Sequence, residues 1–166
     1  MSGQKKKWFF LRGLVREAGH WSGFLEKFAE AFPDCEPIPL DIPGNGRHFQ
    51  KRSPISVPKM AQSMREEFLA RRGESNYVFA LSLGAMVALE WLHSWPGDFD
   101  GAVLVNTSVR GISPLYHRLH PRNYSLILRM MLSDDLYFVE KNILNITSNR
   151  RECFERLAED WVKIQK

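Results

Sequence analysis

The sequence predicts an α/β protein built on a parallel sheet. Three observations carry that class. Short runs rich in β-branched and aromatic residues, Lys7–Leu11, Cys35–Leu40, Asn76–Ala80 and Phe99–Val105, alternate with segments of helical period. The third run and the helix after it are almost wholly apolar, as elements covered on both sides must be. The spacing leaves room for a helix in each crossover, which joins neighbouring strands in parallel.

Taken in order, Lys7–Leu11 is the first strand and Arg12–His20 a Gly-bearing loop. Trp21, Phe24, Leu25, Phe28 and Phe32 recur at helical spacing, with Glu and Lys between them, so Trp21–Phe32 reads as an amphipathic helix stopped by Pro33-Asp34. Cys35–Leu40 carries Pro37 and Pro39, which cannot donate to a ladder, so this strand belongs at a sheet edge. Asp41-Ile-Pro-Gly-Asn-Gly-Arg47 is dense turn chemistry. Val57–Arg72 is an amphipathic helix with Gly73 just past its end. Asn76–Ala80 is the third strand, Gly84–Trp95 an apolar helix ended by Pro96-Gly97, and Phe99–Val105 the fourth strand. After Asn106 the pattern changes. Residues 113–166 offer no strand but three helices, Tyr124–Leu132, Leu136–Ile146 and Arg150–Ile164, the last with Phe154, Leu157, Trp161 and Ile164 on one face. The expected organisation is a core over 1–112 and a helical cap segment over 113–166.

Composition bounds the function. A chain of 166 residues with 44% hydrophobic and 25% charged content suits a soluble globular protein. No apolar run approaches the ~20 residues of a membrane-spanning helix. Trp8-Phe-Phe-Leu11 is too short for a signal-peptide core and is interrupted by Arg12, so a cytoplasmic protein is expected. Cys35 and Cys153 match no metal or redox spacing and read as free thiols. A net charge of +4 is mild, and no reading element accompanies the basic clusters, so nucleic acid is not an expected partner. Gly44-Asn-Gly46 lacks the further Gly and Lys of a phosphate loop. No metal or organic cofactor is implied.

The most informative segment is Tyr77–Trp91. A strand passes straight into a helix through Ala80-Leu-Ser-Leu-Gly84. Such a corner exposes the central hydroxyl, Ser82, and demands small residues two positions away on either side; Ala80 and Gly84 meet that demand. The bland alternative is a serine that merely caps the helix. Asp41 reads as the residue that fixes its Gly-rich turn. Trp91, Trp95 and Trp161 are expected in packing interfaces. Met130 and Met131 are expected to pack internally, with an acyl pocket as the alternative.

Four features therefore fall in order: Arg12-Gly-Leu14 after the first strand, Asp41-Ile-Pro-Gly-Asn-Gly46 after the second, Ser82-Leu-Gly84 after the third, and Asn106-Thr-Ser108 before the helices. This order resembles the α/β-hydrolase superfamily, in the compact branch that includes carrier-protein methyl ester esterases. The resemblance implies a parallel-sheet three-layer sandwich, incomplete at about four strands, followed by a helical cap. It implies ester or thioester hydrolysis on a small-molecule substrate, with Ser82 as nucleophile. The backbone N–H groups of Leu83 and Leu14 would form the oxyanion hole, where one donor is worth about 10²–10³ in rate. Arg12 stands where the family carries a His, which adds positive charge at the mouth and favours an anionic substrate.

The family's acid and His follow the nucleophile on later strands, and neither has a counterpart here; the last histidine is His120. The expectation is a C-terminally truncated hydrolase. His20, in the first loop, is the one histidine the sequence places near Ser82, as a substitute base. His48, His93, His117 and His120 read as surface residues. The competing expectation is a non-catalytic module whose fourth strand, left as an edge, pairs with a second copy or with a complementing C-terminal half.

Overall fold

The computed structural model describes residues 5–109, 120–149 and 151–164. The chain divides into two compact units, Met1–Ser108 and Val109–Lys166. The expected boundary at 112/113 and His117 lie outside the described residues.

The first unit carries a four-stranded, all-parallel sheet in the order β2-β1-β3-β4, from β1 (Lys6–Leu11), β2 (Cys35–Leu40), β3 (Asn76–Leu81) and β4 (Gly101–Val105). Helices α1 (Phe24–Ala31), α2 (Val57–Arg71) and α3 (Leu83–Ser94) fill the three crossovers. The period-two alternation of the strands sorts side chains between two layers. Phe9, Leu11, Ile38, Leu40, Val78 and Ala80 are buried with Ala61, Met64 and Phe68 of α2 and Ala85, Val87, Ala88 and Trp91 of α3. Phe10 and Phe79 stack on the opposite face, where Phe10 also meets Trp21, Phe24 and Phe28 edge-on. The α2/α3 face is sealed, whereas no residue of α1 is fully buried.

Two boundaries differ from the sequence expectation for identifiable reasons. Helix α1 begins at Phe24 rather than Trp21, because Ser22 takes φ 45° and Ala18–Trp21 forms a separate 3-10 turn. The fourth strand begins at Gly101 rather than Phe99; Phe99 is instead buried against Phe68 and Trp91. Helix ends are secured locally. Lys7 Nζ donates to the Arg71 carbonyl at 2.6 Å, placing a cation at the C-terminus of α2. Trp91 Nε1 donates to Asp98 at 2.8 Å, and Arg65 Nε meets the same carboxylate at 2.6 Å while its guanidinium lies over Trp95. Trp91 and Trp95 thus serve packing.

The two edges of the sheet differ. On β2, Pro37 and Pro39 remove donors and Glu36 adds a charge, all devices that discourage further pairing. On β4 the sequence is Gly-Ala-Val-Leu-Val, with Val103 and Val105 40% and 37% exposed.

The second unit is helical among its described residues, with helices Tyr124–Met131, Leu136–Thr147 and Phe154–Ile164. Asp135 caps the middle helix by accepting from the Phe138 amide at 3.0 Å. Leu144, Phe154, Ala158 and Trp161 form a small core with Tyr137, Leu157 and Ile164 against it. Met131 does not pack internally as the sequence suggested; it is 78% exposed, beside equally exposed Leu132. No described helix is long and apolar enough to cross a membrane.

Candidate active site

Ser82 sits at the junction of β3 and α3 with φ 53° and ψ −117°. L-residues rarely adopt this region, and holding one there costs about 1–3 kcal/mol. The Ser82 amide donates to the Val105 carbonyl at 3.0 Å, and its carbonyl accepts from Ala85 and Met86, both at 3.1 Å. The corner is therefore tied to β4 on one side and to α3 on the other, and the serine is exposed.

Two glycines explain why the corner fits. A Cβ on Gly84 would press into the Arg12 carbonyl oxygen and lie 2.9 Å from the Leu11 carbonyl oxygen, so only glycine lets α3 start against the end of β1. A Cβ on Gly13 would stand 3.2 Å from Ser82 Cβ and 3.7 Å from Ser82 Oγ. The β1 loop thus forms a wall beside the hydroxyl. Sequence reading did not single out Gly13; its signal was a small residue in the loop just after a strand.

Leu83 is the first residue of α3. Its N–H therefore has no partner within the helix and lies at the positive end of the dipole. Leu14 follows Gly13, its side chain 70% exposed, and precedes Val15 at φ 55°. The structure thus gathers Ser82, Gly13 and the start of α3 at the carboxyl end of the sheet, where open α/β sheets bind ligands.

The β1 loop is cationic. The half-buried Arg12 guanidinium lies 4.9 Å from the Trp21 ring centroid, and burial, then the neighbouring Arg16, lower its pKa to about 10. His20 is buried. Its Nδ1 accepts from the Glu17 amide at 3.2 Å and its Nε2 lies 3.0 Å from Arg16. Burial, followed by Arg16 and Arg12, lowers its pKa to about 4. The ring is neutral at pH 7 and a weak base, with both nitrogens facing loop groups.

The other expected residues have structural settings. Asp41 is buried and accepts from the Ala18 amide at 2.6 Å, the Arg47 amide at 3.2 Å and Arg47 Nε at 3.4 Å, so it holds its turn and ties it to the β1 loop. His48 Nε2 lies 2.9 Å from Glu67, His93 is exposed near the end of α3, and His120 Nδ1 accepts from the Arg122 amide at 3.4 Å. Among the described residues, no three His, Cys, Asp or Glu side chains converge to hold a metal ion.

No protein-family model and no curated protein matches the chain by sequence. Solved structures match its backbone. A lipase-esterase related protein from Clostridium acetobutylicum superposes with a TM-score of 0.69 at 15% identity, over 100% of this chain and 62% of that one. The fold is that of the α/β-hydrolases. The carboxylesterase CesB from Bacillus subtilis gives 0.65 at 16% identity, over 99% of this chain and 55% of that one. RedJ, a thioesterase from the prodiginine biosynthetic pathway of Streptomyces coelicolor, gives 0.61 at 14% identity, over 95% and 60%. The chain thus spans between 55% and 62% of the length of these α/β-hydrolases.

Proposed function

We propose that this α/β-hydrolase fold serves serine hydrolase chemistry on carboxylic ester or thioester bonds of small molecules, with Ser82 as nucleophile. The supporting observation is the corner itself: an exposed serine held at φ 53° between a strand and a helix, walled by Gly13 and made possible by Gly84. Ser82 Oγ would attack the carbonyl carbon, its proton passing to a base. The tetrahedral oxyanion would be held by the Leu83 and Leu14 N–H groups. Collapse would break the bond to the alcohol or thiol, which leaves with the proton, and water would then cleave the acyl-Ser82 ester. No cofactor is needed for these steps. The free thiols Cys35 and Cys153 fit a cytoplasmic setting.

A hydroxyl needs a positioned base. His20, with its pKa near 4, is a poor proton acceptor at neutral pH. We therefore place the base on a strand added beside β4. The Ser82–Val105 hydrogen bond sets the elbow next to that edge, so the carboxyl end of an added parallel strand would stand close to Ser82. The second reading, a binding or dimerising module without catalysis, is favoured by β4 itself, an outer strand that carries neither proline nor charge and that a second copy or a complementing C-terminal half could pair with.

The test is labelling of the folded protein with a fluorophosphonate, read by intact mass with Ser82→Ala as control. Stoichiometric labelling once a complementing half is added, lost in the variant, is the expected result. Folded protein that stays unlabelled, alone and with a complementing half, leaves the binding module.

A further inference from the structure

We propose that Arg12 forms an anion-binding subsite beside Ser82, so that the substrate carries a carboxylate or phosphate-ester group near the bond attacked. This inference rests on the reading of Ser82 as the reacting group. Arg12 directly precedes Gly13, the residue that walls the Ser82 side chain, and its own carbonyl is what Gly84 packs against. The backbone of Arg12 therefore borders the Ser82 corner, and its guanidinium lies over the Trp21 ring, 4.9 Å from the centroid.

The electrostatic setting is one-sided. Both influences that shift Arg12, burial and Arg16, disfavour its charge, and neither comes from a carboxylate. It still remains a cation at pH 7. Its Nε is buried without a hydrogen-bond partner among the described residues. Asp41, the buried acid of the neighbouring turn, is committed to the Ala18 amide and to Arg47. A desolvated, poorly compensated guanidinium gains from an arriving oxyanion, and its planar fork matches the two oxygens of a carboxylate or phosphate. The aromatic face of Trp21 lies against one side of the guanidinium.

Binding is measured in Ser82→Ala, so that failure of the nucleophile reading does not blur the result. The probes are glutarate monomethyl ester, its neutral counterpart methyl pentanoate, and methyl phosphate, titrated while the arginine Nε–Hε resonances are followed by NMR. The expected result is saturable binding of at least one anion, about tenfold or more tighter than the neutral ester, as for one charge-assisted hydrogen bond, with the Arg12 resonance shifting. Arg12→Gln should abolish the preference and Arg12→Lys should keep part of it. Because the unsubstituted Arg12 resonance reports directly, the test survives a variant that fails to fold. Equal affinity for charged and neutral probes, an unmoved Arg12 signal, or a preference that persists in Arg12→Gln overturns the proposal.

Discussion

Two turns at the carboxyl end of the sheet solve the same backbone problem with different residues. After β2, the positive φ angles fall on Gly44 at 94° and Gly46 at 49°, and the buried Asp41 carboxylate satisfies the surrounding donors. After β3, the positive φ falls on Ser82, and the glycine sits two residues later, where α3 meets β1. The β2 turn puts glycine at its positive-φ positions, whereas the β3 corner, like the turn at Ser22, does not. A serine held in a glycine's conformation costs free energy, which points to a requirement for the side chain itself. Val15 and Asn106, also at positive φ, lie beyond β1 and β4, so the strain gathers at this end of the sheet.

The comparison breaks first at the packing glycine. Gly84→Ala should destabilise the first unit by about 3 kcal/mol, because the methyl meets the rigid Arg12 carbonyl rather than a flexible side chain. Urea midpoints measure it, and a loss well under 1 kcal/mol would mean that the helix start can shift. Asp41→Ala should cost about 2 kcal/mol by leaving the part-buried Ala18 and Arg47 amides without their acceptor. That change should loosen the β1 loop, which carries Gly13 and Leu14, and so slow the labelling of Ser82.

The pH dependence sharpens the contrast within the β1 loop. His20 titrates near 4 when folded against an ordinary 6.5, so the unfolded chain binds its proton more readily. Its contribution is complete above about pH 6.5 and is lost as pH falls towards 4. A denaturation series over that range should show stability falling with acid by up to a few kcal/mol, and His20→Gln should flatten that part of the slope. An unchanged slope would place the titration elsewhere. The smallest effect is the most discriminating. Ser82→Gly should raise stability by about 1 kcal/mol, since glycine takes φ 53° without strain, whereas Ser82→Ala should not. A destabilised Ser82→Gly would mean that the serine is there for structure.

Much of the fold was legible because the chain's local and global signals agree. The strands Cys35–Leu40 and Asn76–Leu81 follow their composition, the prolines put β2 at an edge, and the strand-to-helix passage exposed the elbow. What was not legible depends on partners distant in sequence. Arg12 reads as a loop cation until Trp21 comes beneath it, and Gly13 as a turn residue until β3 delivers Ser82 against it. His20 looked available as a base because sequence placed it in the right loop. Its burial and its contacts with Arg16 and Glu17 are tertiary facts. Met131 is apolar yet exposed, because hydropathy alone says nothing about which face of a helix finds a partner.

The most direct measurement is fluorophosphonate labelling of Ser82 in folded protein, with and without a separately expressed segment that supplies the strands following β4 in a full-length α/β-hydrolase. The account predicts a single adduct on Ser82, absent in Ser82→Ala and formed faster once a strand is added at the β4 edge. A folded, complemented protein whose Ser82 stays unmodified would contradict it.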